Sequence, residues 1–440
     1  MKYDMVIYNG TVITLNSEFD IIENGIIIIK DRKFERFETG TRPQDLPEAK
    51  KTIDAKGSII LPGLVNTHTH LPMTLFRGLA DDLPLHDWLE NHIFPAEAKH
   101  INPENVQAST RLACAEMIMS GTTTCCDGYF FEDEVASAVS DSGLRAILAQ
   151  GVIDFPAPGV PNPVDNIDHA VAYTQKWLGA SKLIRPSIFC HSPYTCSAET
   201  LQKAKKAAAS KDLLFQIHVA ETKQEWDGVN SEHGISPIQY LDRIGILDRN
   251  TLLVHCIWVD DHDVETVAER ECAVSHNPES NMKLASGIAP VEKFLEAGIP
   301  VGLGTDGCAS NNTLDIFQAM DMTAKLHKVC SMDPTAMDAK TVLQMATIGG
   351  ARAMGLEKEI GTLEIGKQAD LIIVDNCRPH LTPMYNPASH LVYAANGNDV
   401  KTSIIGGRVV MEDSKLVFLN LEDILEQIAA IGESIRKQRG

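Results

Sequence analysis

Short apolar runs alternate with stretches of helix-forming composition through the middle of the chain. Eight of these runs are typical of β-strands, each bounded by turn or helix signals. Helical composition predicts helices over residues 108–119, 198–209, 313–329 and 340–354. The alternation favours a parallel α/β unit, so we predict a (β/α)8 barrel of the TIM type. We expect its strands to end near Asn66, Asp127, Gln150, Cys190, Val219, His255, Ser275 and Thr305.

The two chain ends carry a different pattern, in which short strand-like runs follow one another closely. Residues 5–8, 11–14 and 25–29 precede the barrel, and residues 370–374, 402–405 and 409–410 follow it. Asn9-Gly10 and Gly406-Gly407 have the composition of turns between such strands. Because each set is short for an independent core, we expect one small β-sandwich domain built from both ends. The predicted domains are residues 1–57 with 366–420, a barrel over 58–365, and a C-terminal helix over 421–440.

Composition places the chain among globular proteins. The chain is 44% hydrophobic and 22% charged, which is ordinary for a globular protein, and its 440 residues are enough for a barrel and a smaller domain. A net charge of −20 argues against nucleic acid or an anionic membrane as a partner, because both would repel the chain. The ten cysteines form no Cys-x-x-Cys pair, which favours free thiols in a reducing compartment. Without a membrane-spanning run or a signal-peptide pattern, we expect a cytoplasmic protein and leave a homo-oligomer open.

Side chains that bind metals lie at the ends of three predicted strands. His68 and His70 end the first strand, His218 the fifth, and Asp306 follows the eighth. Alternate residues of a strand share a face, and the carboxyl ends of parallel barrel strands share a rim. An isolated His-x-His pair is as readily surface decoration, but donors in register at several strand ends favour one mononuclear site. Three nitrogens and a carboxylate suit Zn²⁺, with Fe²⁺ or Mn²⁺ as alternatives, and such an ion activates water for hydrolysis.

Two more ionisable side chains lie near the same rim. Glu221, three residues beyond His218, is placed to move a proton from the attacking water to the substrate, although it could be an ordinary helix-start acid. His255 ends the sixth strand, where it can hydrogen-bond the water or simply pack in the core. Cys190-His191 follows the fourth strand in place of a lysine. No carbamylated lysine is therefore offered to a second ion, and we expect one metal.

Three motifs together resemble the amidohydrolase superfamily, in its cytosine-deaminase-like branch. They are residues 62–70 (PGLVNTHTH), 218–221 (HVAE) and 304–307 (GTDG). Longer stretches are similar to the methylthioadenosine/S-adenosylhomocysteine deaminases of that branch. These are residues 71–82, Trp88 with its neighbours, Pro95-Ala96-Glu97, and residues 191–196 and 275–281. The resemblance extends over nearly the whole chain.

The resemblance implies a metal-dependent deaminase that acts on a small nucleoside. It implies that His68, His70, His218 and Asp306 bind the metal and that Glu97 binds the ribose hydroxyls. It further implies that His191 contacts the nucleoside, Trp88 packs on the purine, Glu221 addresses the purine N1, and Asp306 also accepts a proton. Without the resemblance, Glu97 would be an ordinary solvated acid and Trp88 an ordinary core aromatic residue.

One stretch departs from the pattern of this family. Some members carry arginine after the third strand and in the next loop, suited to the carboxylate of S-adenosylhomocysteine. Here Gln150 and a loop over residues 152–166 without Arg or Lys stand instead, with Arg77 as a distant candidate base. We therefore expect methylthioadenosine or adenosine to be preferred, because glutamine brings no charge. Alternatives are a guanine deaminase, a triazine hydrolase and an inactive barrel scaffold.

Overall fold

The computed structural model describes residues 2–40 and 46–438, and two sheets organise this part of the chain. The strands are β1 (Tyr3–Ile13), β2 (Ile21–Lys30), β3 (Lys33–Thr39), β4 (Ala49–Asp54), β5 (Ile59–Pro62), β6 (Leu64–Thr69), β7 (Thr122–Tyr129), β8 (Arg145–Val152), β9 (Ile184–Pro186), β10 (Ile188–Cys190), β11 (Phe215–Val219), β12 (Thr251–His255), β13 (Ala273–His276), β14 (Val301–Leu303), β15 (Leu371–Val374), β16 (Val400–Ile405), β17 (Arg408–Glu412) and β18 (Lys415–Leu416).

Eight parallel strands form the barrel, in the order β6, β7, β8, β10, β11, β12, β13 and β14, with short β9 beside β8. The predicted TIM-like barrel is thereby confirmed. Predicted and observed strand ends agree closely, the largest difference being between Asn66 and Thr69 in β6. Every residue of β6, β7 and β8 is buried, as expected for a parallel sheet covered by helices.

The strands of the two chain ends form one continuous nine-stranded sheet, in the order β18, β17, β16, β15, β5, β1, β2 and β3, with β4 paired to β1. The predicted union of both chain ends is confirmed. The predicted turn at Asn9-Gly10 is wrong, because β1 runs through both residues as an irregular strand with Asn9 at φ 60°. A Cβ atom at Gly10 would lie 2.6 Å from Ile60 Cδ1, so close strand packing explains this glycine. The Gly406-Gly407 turn does join β16 to β17.

The helices are α1 (Leu85–Trp88), α2 (Phe94–His100), α3 (Pro103–Met119), α4 (Glu132–Ser142), α5 (Asn166–Trp177), α6 (Ala198–Ala209), α7 (Lys223–His233), α8 (Pro237–Arg243), α9 (Asp261–Glu269), α10 (Pro278–Lys283), α11 (Val291–Glu296), α12 (Cys308–Asn311), α13 (Ile316–Ser331), α14 (Ala339–Gln344), α15 (Gly350–Ala353), α16 (Pro387–Tyr393) and α17 (Leu421–Lys437). The predicted helix over residues 340–354 is interrupted by a π turn at Met345–Gly349. Residues 439 and 440 of the predicted C-terminal helix lie outside the described residues. No described helix has the length and apolar character needed to cross a membrane.

Hydrogen bonds between the first and eighth strands bring the ends of the barrel together. Asp306 N donates to His68 O at 2.9 Å, just beyond the end of β14. The Asn66 side chain donates to Thr305 Oγ1 at 2.7 Å and accepts from Thr305 N at 3.2 Å. Because the amide and carbonyl groups of Asn66 are both used, the register between these segments is fixed. This register places Asp306 beside the two histidines of β6.

A buried ion pair joins the barrel to the terminal sheet. Arg145, at the start of β8, binds the Asp370 carboxylate through two hydrogen bonds of 2.8 and 3.1 Å. Their side chains are 8% and 2% exposed, so loss of one partner would leave an uncompensated buried charge.

Eight of the ten cysteines are buried, Cys330 and Cys377 are exposed, and all ten are free thiols, as predicted.

Candidate active site

Four potential metal donors converge at the carboxyl end of the barrel. One donor atom from each of His68, His70, His218 and Asp306 lies within 4.8 Å of the others, and all four residues are buried. His68 Nε2 and His70 Nε2 lie 3.5 and 3.3 Å from Asp306 Oδ1. His68 and His70 reach the same point because they are alternate residues of β6. The structure thus brings together the complete predicted donor set.

The protonation of these histidines suits a divalent cation. His70 Nδ1 donates to the Gly128 carbonyl at 2.7 Å, which leaves its Nε2 lone pair directed toward the other donors. Burial lowers the pKa of His68 to about 4 and lowers the pKa values of His70 and His218. His68 Nε2 and His218 Nε2 face each other at 3.1 Å. A cation between two neutral imidazoles would bind both lone pairs, so the residues fit a metal ion.

The Asp306 carboxylate is held in position by three neutral donors. Its Oδ2 accepts hydrogen bonds from Ser280 Oγ at 2.7 Å and Ser310 Oγ at 2.9 Å. Its Oδ1 accepts from Gly307 N at 2.7 Å and faces the histidines. Although burial opposes ionisation, bonding to His68 and the nearby histidines keep the pKa of Asp306 well below its ordinary value. Asp306 is therefore an ionised donor whose second oxygen is held by hydroxyl groups.

Glu221 and His255 form a pair on the same rim. Glu221 Oε2 lies 3.7 Å from His255 Nε2, and His255 Nδ1 donates to Asn281 Oδ1 at 2.8 Å. Burial raises the pKa of Glu221, while the neighbouring His255 opposes that rise. A carboxyl group with a raised pKa can hold and release a proton closer to neutral pH than an exposed one.

The loop that carries Glu221 is fixed by Glu225, which the sequence reasoning missed. The Glu225 carboxylate accepts from Ala220 N at 2.8 Å and from Glu221 N at 2.9 Å. Thr222 caps α7 by accepting a hydrogen bond from Glu225 N. The spacing Thr222-x-x-Glu225 is that of a capping box, so the sequence pattern could have indicated a structural role for Glu225 at the start of α7. Asn281, Ser280 and Ser310, which orient His255 and Asp306, were also missed, although Ser280 and Asn281 lie in a recognised motif.

Two adjoining cavities open beside these groups. A cavity of about 420 Å³ is lined by Glu221, His255 and Asp306 together with Trp88. A second cavity, of about 660 Å³, contains Glu97 in its wall. Both cavities share His70, Met73, Leu89 and His191 as lining residues. The structure therefore brings every predicted site residue to the metal donors or to a cavity next to them.

Three of the cavity residues have fixed surroundings. Trp88 Nε1 donates to the Ala80 carbonyl at 3.0 Å, which orients its ring. His191 Nδ1 lies 3.0 Å from Thr195 Oγ1, and burial lowers the pKa of His191 to about 3, so this imidazole is neutral. The buried Glu97 carboxylate accepts a hydrogen bond from Tyr129 Oη at 2.5 Å.

The two polar side chains considered for a substrate carboxylate lie elsewhere. Gln150 Oε1 accepts from Glu132 N at 3.2 Å, and Gln150 lines a separate cavity rather than the one that contains Glu97. Arg77 is paired with Glu116 and donates to the Asn312 carbonyl. The Glu97 cavity is bordered instead by the loop beyond β8, including Phe155, Pro156 and Ala157. Among its described lining residues, none is Lys or Arg.

Comparison with known proteins identifies the family of this chain. The model of the Amidohydrolase family matches residues 59–410. The chain belongs to the amidohydrolase family. Among its amidohydrolase relatives, the 5-methylthioadenosine/S-adenosylhomocysteine deaminase of Syntrophobacter fumaroxidans is 47% identical over 436 residues, which are 99% of each protein. The 5′-deoxyadenosine deaminase of Methanosarcina mazei is 46% identical over 433 residues, with 98% of each protein covered.

A solved structure is also closely similar to this amidohydrolase. The crystal structure of an adenosine deaminase from Xanthomonas campestris with bound zinc has 34% sequence identity and a TM-score of 0.96. The match covers 99% of each chain. The whole architecture, including both chain ends, is therefore shared.

The converging donors make a prediction about metal content. We expect His218→Ala to reduce bound metal from one ion per chain to a small fraction of that, because one of three nitrogens is lost from a buried site. Metal analysis of the purified variant by mass spectrometry checks this. His262→Ala is the matched control, since His262 is 72% exposed on α9. A full equivalent of metal retained by His218→Ala would show that the donor set is wrong.

Proposed function

We propose that this amidohydrolase removes the 6-amino group of adenosine-type nucleosides, releasing the inosine analogue and ammonia. The substrate class we favour is 5′-methylthioadenosine, with S-adenosylhomocysteine, 5′-deoxyadenosine and adenosine as related candidates. The observation that carries the proposal is the placement of a buried carboxylate, Glu97, in a cavity that adjoins the metal donors and Glu221. Such a site has one end suited to hydrolysis and another suited to hydroxyl groups.

Each end of the substrate then has a group in the proposed site to receive it. The purine would lie near Trp88 and His191, with its amino carbon toward the metal donors. The ribose would extend toward Glu97, whose carboxylate can accept hydrogen bonds from two hydroxyl groups. Two relatives at 46–47% identity are named as nucleoside deaminases, which supports a ribosylated purine as the substrate.

We assign the metal site to one divalent ion held by His68, His70, His218 and Asp306, and we favour zinc. When bound, the ion supplies a water activated for attack on an electrophilic carbon. The choice of zinc is supported by the donor set and by the zinc bound to the adenosine deaminase of Xanthomonas campestris. A single ion needs no carbamylated lysine as a bridging ligand. The residue that follows β10, the fourth barrel strand, is His191.

The protein side chains carry the proton transfers of the proposed reaction. Glu221 donates a proton to the purine N1, which makes C6 more electrophilic, and a C6–O bond forms. Asp306 accepts a proton from the attacking water and passes it to the amino group, so the C6–N bond breaks and ammonia leaves. His255 supports the developing oxygen charge at C6, held in orientation by Asn281. The second proton of the water passes from the C6 hydroxyl to Glu221 as the carbonyl forms, which restores the protonated Glu221. The oxygen of the water thus ends in the C6 carbonyl, one of its protons in ammonia, and the other replaces the proton that Glu221 gave to N1.

The 5′ end of the nucleoside would meet apolar surface. Phe94, Phe155 and Pro156 line the Glu97 cavity, and none of its described lining residues is Lys or Arg. Burying the carboxylate of S-adenosylhomocysteine there without a cation would be costly. A methylthio or methyl group would instead be favourable. The proposed preference for methylthioadenosine therefore follows from this loop rather than from Gln150.

The alternative functions are less well supported. A guanine or triazine substrate would leave the buried Glu97 without a ribose to bind. An inactive scaffold is expected to show a gap in its catalytic residues, whereas the complete donor set, Glu221 and His255 are all present.

Replacing Glu221 tests the proposed proton transfer. Glu221→Gln keeps the size of the side chain but removes its acid and base chemistry, so we expect kcat to fall roughly 10²- to 10⁴-fold. Bound metal should remain at one ion per chain, as measured on the same preparation. Glu232→Gln is the matched control, because Glu232 is 77% exposed on the following helix. Unchanged kcat in Glu221→Gln with full metal content would remove Glu221 from the reaction.

The apolar loop predicts how substrates are ranked. We expect kcat/KM to be higher for 5′-methylthioadenosine than for S-adenosylhomocysteine. Ala157→Arg should narrow this difference roughly 10-fold or more, since a hydrogen bond to a charged group contributes about 1.5–3 kcal/mol. Ala157→Met, which adds length without charge, should give no selective gain. Equal efficiency of the wild type on both substrates would show that the tail does not meet this loop.

A further inference from the structure

Tyr129 lies at the end of β7 and contacts the carboxylate assigned to ribose binding. Its hydroxyl donates to Glu97 Oε1 at 2.5 Å, and both residues line the same cavity. Tyr129 is 3% exposed and Glu97 is 4% exposed, so little water competes for this bond. Within the described part of the chain, Tyr129 is the only side chain that hydrogen-bonds the Glu97 carboxylate. The Glu97 carboxylate therefore relies on Tyr129 for its side-chain hydrogen bond within these residues.

The position of Tyr129 is set by the barrel rather than by a loop. Its backbone belongs to β7, where it is paired with Gln150 of β8. Its ring packs against Phe130 at 5.2 Å and against His70 at 6.1 Å between ring centres. Glu97, in contrast, lies on the seven-residue helix α2. A rigid strand thus supplies the hydroxyl that orients a carboxylate on a short helix.

The same hydrogen bond favours the charged form of Glu97. Burial raises the pKa of Glu97 to about 7, and the Tyr129 hydroxyl opposes that rise. Burial and the adjacent carboxylate raise the pKa of Tyr129 well above its ordinary value, so the phenol stays protonated and acts as the donor. With Oε1 held by Tyr129, Oε2 has no hydrogen-bond partner among the described residues. It is left to accept hydrogen bonds from a ligand.

We propose that Tyr129 is a positioning residue that orients Glu97 so that its free oxygen recognises the ribose 2′,3′-diol. The assignment rests on the proposed function, since it requires a ribosylated substrate. Tyr129 acts through Glu97 and does not itself touch the reacting atoms. The competing interpretation is that Tyr129 only fills space in the barrel, and the two differ in how they affect substrates with and without a diol.

The experiment compares 5′-methylthioadenosine with its 2′,3′-dideoxy analogue in wild type and in Tyr129→Phe. This substitution removes only the hydroxyl and keeps the ring. We expect kcat/KM for 5′-methylthioadenosine to fall about 10- to 100-fold, mainly through KM, as for loss of a hydrogen bond to a charged group. The already slow dideoxy analogue should change little. Equal losses on both substrates would overturn the assignment, because a space-filling role predicts them.

A double substitution tests whether Tyr129 acts through Glu97. Glu97→Gln should remove most of the preference for the diol, and adding Tyr129→Phe should then cost little more. Losses that multiply in the double variant would overturn the assignment. Glu97→Gln alone, which leaves Tyr129 unchanged, still tests whether the Glu97 carboxylate sets the preference for the diol if Tyr129→Phe is unstable. The stability of each variant is followed by thermal unfolding and by its metal content.

Tyr173→Phe is the matched control. Tyr173 is also a buried tyrosine, but its hydroxyl has no hydrogen-bond partner among the described residues and it does not line the Glu97 cavity. Its kinetics should match wild type, and an equal loss of diol preference would overturn the specific role of Tyr129. A wild type inactive on both substrates would refute the proposed function itself. A wild type that is active, with diol preference unchanged in Tyr129→Phe, would refute only the role of Tyr129.

Discussion

The meeting of the first and last barrel strands determines the geometry of the site. The hydrogen bond from Asp306 N to His68 O closes the gap between these segments and brings a carboxylate to two histidines. Asn66 fixes the same register through two bonds to Thr305. Because His68 and His70 alternate along one strand, a change of register by one residue would turn both away from Asp306. Barrel closure and the convergence of the four potential metal donors therefore depend on the same few hydrogen bonds.

Three residues of the site have backbone conformations that are unusual for side chains larger than glycine. Ala220, His255 and Asp306 have φ values of 53°, 76° and 61° at the ends of their strands. Such left-handed positions cost energy unless neighbouring groups stabilise them. Here Glu225 binds the backbone at Ala220, Asn281 binds His255, and two serines bind Asp306. These contacts support the segments whose side chains, Glu221, His255 and Asp306, line the cavity.

The barrel, and the positions of the four potential donors and Glu221 on one rim, could be predicted from the sequence because the carboxyl ends of parallel strands share a rim. Any donor at such an end is brought near the others, whatever its distance along the chain. The Asn9-Gly10 turn was predicted wrongly because local composition does not show that Ile60 packs against Gly10. Local composition also does not show that Gln150 lies in a separate cavity, where its side chain accepts a hydrogen bond from Glu132 N. The contact between Glu97 and Tyr129 joins residues 32 positions apart in different elements, and no spacing rule predicts it.

The central claim is that this donor set holds one ion on which hydrolysis of the nucleoside depends. The most direct measurement starts from protein whose metal has been removed with a chelator and titrates it with Zn²⁺. Ammonia release from 5′-methylthioadenosine and bound metal are measured in the same samples. The account predicts negligible activity without metal, a linear rise with bound zinc, and saturation at one ion per chain. Full activity in the metal-free chain, or a requirement for two ions, would contradict it.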